Sequence, residues 1–151
     1  DVYLYLYNKY ELNIFNNIAS SEQTHMDAVL AIIDKYEIED PASDDLGIFT
    51  NETLQHLYNS LITQGNISLV DALIVGATIE DVDIRDLNIA IEGTSKTDLI
   101  NLYELLICGS KNHMRGFINQ LNVLGENYTP QYISQEEYDE IINGEKEHCG
   151  M

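Results

Sequence analysis

Between residues 13 and 36 the apolar positions recur at the spacing of a helix with about 3.6 residues per turn. Ile14, Ile18, Val29, Ile32 and Tyr36 define one stripe, and Glu22 and His25 fall on it rather than on the wet side. The same period predicts further long helices over about 69–92 and about 97–124, and the end of a first helix over 1–10. Val2-Tyr3-Leu4-Tyr5-Leu6-Tyr7 alternates like a strand, but no partner strand exists for it. Pro41 and its acidic neighbours Glu39, Asp40, Asp44 and Asp45 predict a loop. Asn51 or Thr50 then caps a short helix to about Thr63, broken at Gly65-Asn66. Ser68 opens the helix that ends at Gly93, Ser95 or Thr97 opens the next, and Gly125 stops that one. Ser134 and Glu137 form a capping box for a short last helix. The fold class expected is all-α: one domain over 1–151, four main helices, an extra short helix between the second and third, and a short C-terminal helix.

Two long helices repeat the oddity of polar groups on the apolar side. Leu69, Leu73, Gly76, Glu80, Asp83 and Leu87 share one side, which places Asp81 and Asp86 toward solvent. Leu99, Leu102, Leu106, Gly109, His113, Phe117 and Leu121 share another, with Glu104 out of phase. Gly76, a turn before Glu80, would leave room for a neighbouring group or a ligand. A charge facing a core is costly unless it is paired, protonated or bound to a metal. Glu22, His25, Glu80, Asp83 and His113 are therefore the candidate metal ligands. Carboxylate and imidazole suit divalent iron, manganese or zinc. The alternative for each is a hydrogen-bonded core residue or an acid at a groove edge. Tyr3, Tyr7 and Tyr36 read as amphipathic packing groups, and His56 and His148 as surface residues.

Composition narrows the partners. The formal net charge is −19, with 7 basic residues against 26 acidic ones. That excludes nucleic acid and anionic membrane surfaces, which need cationic patches. No apolar run approaches the roughly 18 residues of a membrane helix. Cys108 reads as a small buried hydrophobe within a helix, and Cys149 as part of a polar, disordered tail, so no disulfide framework is expected. Three Asn-x-Ser/Thr triplets, at Asn51, Asn66 and Asn127, carry no weight in an Asn-rich chain. The chain opens at Asp1 inside a helix, and a segment upstream is expected to be missing.

Four blocks, Asp1–Tyr7, Ser21–Val29, Glu80–Leu87 and Ser110–Phe117, together with Tyr128–Ser134, resemble the signature segments of a prokaryotic ferritin-like family classed as a domain of unknown function. The resemblance covers nearly the whole chain in order. It implies a four-helix bundle of the rubrerythrin and ferritin type with a di-metal centre, iron first and manganese or zinc as substitutes. By that likeness Glu22 bridges or chelates, His25 ligates one ion, Glu80 bridges, Asp83 ligates or supports, and His113 holds the other ion. Two departures stand out. The first-helix glutamate of such proteins would lie upstream of this chain, and Ser110 occupies the glutamate position of the last Glu-x-x-His. The activity implied is oxidation or reduction of peroxide, dioxygen or ferrous iron, with an external electron donor because no Cys-x-x-Cys pair is present. A homodimer is expected by the same analogy. The competing expectations are a metal-binding bundle for sequestration, and a metal-free bundle with a structural or interaction role. The compartment is left open.

Overall fold

The computed structural model describes residues 1–149. Among them are six α-helices and no strand: α1 (Val2–Tyr10), α2 (Asn13–Lys35), α3 (Glu52–Gly65), α4 (Leu69–Glu92), α5 (Thr97–Val123) and α6 (Gln135–Asn143). The all-α expectation holds, and no helix among the described residues is long and apolar enough to cross a membrane. The chain forms two compact units, residues 1–72 and residue 73 onward.

In the first unit α1 packs on α2 and α3. The polar ends of α1 clamp the end of α3. Tyr10 donates to the Gly65 carbonyl at 2.7 Å, Lys9 reaches the Asn66 carbonyl at 2.9 Å, and Tyr5 pairs with the Asn66 side chain. Gly65 is kept small by Leu6, whose Cδ2 would lie 2.8 Å from an added Cβ. Helix α3 ends at Gly65 with Asn66 as its C-cap, at the break that the chain marks. Asn51 caps α3 by accepting from the Thr53 and Leu54 amides. The long connection before it is tied at Gly47, whose amide donates to Asp1 at 2.9 Å and whose carbonyl accepts from Gln55 at 3.0 Å.

In the second unit α4 is apolar on more than one side: Leu73, Val75, Ala77 and Ile84 are all fully buried. Phe117 of α5 lies against Gly76, and a Cβ there would run into its ring. The space expected beside Gly76 is filled by that side chain, not held open for a ligand. Ser134 caps α6 through the Glu137 amide, as the capping box predicts.

Two further expectations are corrected here. Asp81 faces inward and is fully buried, because the segment after α5 folds back over its side of α4. Tyr128 Oη donates to Asp81 Oδ2 at 2.7 Å, and the amides of Gln131, Tyr132 and Ile133 donate to the same carboxylate at 2.6, 3.2 and 2.8 Å. Cys149 is not in a loose tail: it forms a disulfide with Cys108, across 41 residues of sequence.

Candidate functional site

Helix α2 carries the first pair of candidates. The stripe that begins with Phe15 and Ile18, both buried, continues one turn at a time to Glu22 and His25. The His25 side chain is 8% exposed and that of Glu22 is 30% exposed, so the imidazole is inside and the carboxylate sits at the margin. His25 Nδ1 lies 3.1 Å from Glu22 Oε2, the reach expected between positions three apart on one helix face. With Glu22 ionised, Nδ1 carries the proton and donates, which puts the imidazole lone pair on Nε2. A carboxylate that orients a histidine in this way is the arrangement found behind metal-ligating imidazoles.

The second pair spans α4 and α5. Glu80 has no exposed surface, and the His113 side chain is 10% exposed. His113 Nδ1 stands 3.6 Å from Glu80 Oε1. That separation is too long for a hydrogen bond. Two ligand atoms held about 2.1 Å from a common ion stand roughly 3.0–3.4 Å apart, close to what is seen. The donor set therefore fits a divalent cation: one anionic oxygen, one neutral nitrogen, both shielded from water.

The remaining candidate, Asp83, is half-buried on α4, three residues beyond Glu80. Ser110, a turn before His113, is buried at 3% exposure. Glu104 and Asp86 are exposed, as their helical phase requires. Tyr3 is buried, Tyr7 and Tyr36 are half-buried, and His56 and His148 are exposed.

The residue that phase alone misplaces is Asp81. Its four donors satisfy the carboxylate, and they account for it without any ligand. Burial, followed by the adjoining Asp81 charge and hydrogen bond, pushes the Tyr128 phenol well above its ordinary range.

Residues 1–145 match the family described as an uncharacterized protein domain, DUF2202. A protein of Methanocaldococcus jannaschii named uncharacterized protein MJ0754 is 56% identical over 148 residues, covering 97% of this chain and 80% of its own length. The crystal structure of hypothetical protein MJ0754 from that source superimposes with a TM-score of 0.95 at 56% identity, over 97% of this chain and 84% of the other. By sequence and by fold, the chain belongs to the DUF2202 family.

Proposed function

We propose that this protein is a ferritin-like metal-binding protein whose metal ligands are drawn from Glu22, His25, Glu80, Asp83 and His113, with Glu80 and His113 as the pair that holds a divalent ion. The observation that carries the reading is the fully buried Glu80 carboxylate with the His113 imidazole 3.6 Å away. A carboxylate without access to water needs a proton, a donor or a cation beside it, and a carboxylate oxygen next to an imidazole nitrogen is a donor set that suits a divalent cation. Iron is the first candidate, with manganese or zinc as substitutes, and two ions are the expected complement. Bound iron would supply one-electron chemistry toward peroxide, dioxygen or further ferrous iron.

The chain's own residues set the conditions for that chemistry. Glu22 fixes the His25 tautomer, so the ring presents Nε2 as its lone-pair atom. Ser110 in place of a glutamate lowers the number of anionic ligands, which leaves coordination positions for an exogenous oxygen species. Phe117, packed against Gly76, closes the turn before Glu80 to water.

The test is anaerobic titration of the metal-free protein with ferrous iron, followed by calorimetry, beside Glu80→Gln and His25→Ala. Saturable binding lost in Glu80→Gln and weakened in His25→Ala supports the reading. Binding unchanged in Glu80→Gln overturns the assignment. A second reading is favoured by the 3.1 Å contact between His25 and Glu22. In it, the inward polar groups pair with one another in a metal-free bundle with a structural or interaction role. That reading predicts no saturable heat with any of the three metals.

A further inference from the structure

Helix α6 ends at Asn143, and the five residues after it have no regular structure before the chain reaches Cys149. This segment nevertheless runs along α5. Asn112 donates to the Glu147 carbonyl and accepts from the Glu147 amide, each at 2.9 Å, and Arg115 Nη2 meets the Glu147 carboxylate at 2.9 Å. All three contacts are solvent-exposed and depend on two side chains of α5. What pins the segment is the bond from Cys149 to Cys108. We infer that Cys108–Cys149 is a redox-cleavable strap: thiol–disulfide exchange releases residues 144–149 from α5 while the helices stay folded.

The surroundings of the sulfurs favour exchange. Both cysteines are partly exposed, so a thiol can reach them. The Asn112 side-chain amide donates to Cys149 Sγ at 3.2 Å. Lys111 and Arg115, two of only 7 basic residues in the chain, lie on the same stretch of α5. A donated hydrogen bond stabilises a thiolate, and a stabilised thiolate leaves faster.

The step balances with a dithiol as reductant. Its thiolate attacks Cys108 Sγ, forming a mixed disulfide as the Cys108–Cys149 bond breaks and Cys149 leaves as the thiolate. The second reductant thiol then displaces Cys108. Two electrons and two protons end on the two protein thiols, and the reductant becomes a disulfide. Release also withdraws Glu147 from Arg115, opening the groove between α5 and α6 that Lys111, Arg115, Glu137 and Glu140 line. None of this depends on the metal reading.

The experiment incubates the full chain in buffers of graded reduced to oxidised dithiothreitol, traps free thiols with iodoacetamide, and follows amide exchange by mass spectrometry. The expected result is reversible appearance of two trapped thiols in folded protein. Exchange over 144–149 should rise roughly tenfold or more, while α5 and α6 keep their protection. Cys149→Ser should show the fast exchange in every buffer. Three results would overturn the inference: cysteines already free in air-oxidised protein, thiols trapped only after denaturation, or exchange rising throughout α5 and α6.

Discussion

Glu80 and Asp81 are consecutive residues of α4, and both are completely buried, yet they sit in opposite kinds of surroundings. Asp81 is met by four donors, three of them backbone amides from the single segment 131–133. Its charge is fully answered by the protein, and in return it pins that segment ahead of α6. Glu80 faces the His113 imidazole at 3.6 Å, beyond hydrogen-bond reach. Burial alone does not separate a structural acid from a ligand. On the proposed metal reading the identity of the facing groups does: backbone amides cannot be exchanged for an ion, whereas an imidazole can share one.

The comparison can be broken most sharply at Asp81. Asp81→Ala leaves three amides and a phenol without their acceptor, and should lower stability by on the order of 4 kcal/mol in urea unfolding. Asp81→Asn keeps an acceptor and should cost clearly less. A loss in Asp81→Ala no larger than that of an ordinary surface change would remove the distinction. Tyr128→Phe deletes one donor to the same carboxylate and should cost about 1.5–3 kcal/mol by the same measurement.

Alkaline pH tests Tyr128 from another direction. Burial raises the folded phenol above its unfolded value, which is about 10. The folded state then holds its proton where the unfolded chain has lost it. The stability contribution is complete below pH about 10 and declines as the pH climbs above it. Tyr138, raised chiefly by burial as well, adds to the same decline. Tyr128→Phe should make the alkaline fall shallower, and an unchanged slope would contradict the assignment. Smaller still is Ser134→Ala, which removes the cap of α6 at the end of the pinned segment, at about 1 kcal/mol.

Glu80→Gln should do least to stability of all. Removing a buried charge that serves a ligand is neutral or even stabilising for the metal-free protein. An unfolding midpoint that falls as far as in Asp81→Ala would make Glu80 a structural acid like its neighbour.

These two acids also show what was legible in the chain. Helical period placed Glu80, His113 and His25 inward, because each lies on a stripe with one apolar side. Caps at Asn51 and Ser134 were legible because an Asx or hydroxyl side chain satisfies its own helix end locally. Asp81 was not legible, since its partners are main-chain amides about fifty residues away, and an amide leaves no mark on residue type. The disulfide was hidden for a related reason: Cys149 lies beyond the last helix, where no periodicity says which surface the chain crosses. Gly76 read as open space because the chain shows the missing side chain but not the Phe117 ring that fills it.

The most direct measurement is elemental analysis of the purified protein beside a Glu22→Ala/His113→Ala double variant, with circular dichroism to check that both are folded. The account predicts iron or manganese in stoichiometric amount, close to two ions per chain, and its loss from the folded variant. Equal metal in both proteins, or none in the wild type even after reconstitution, would contradict it.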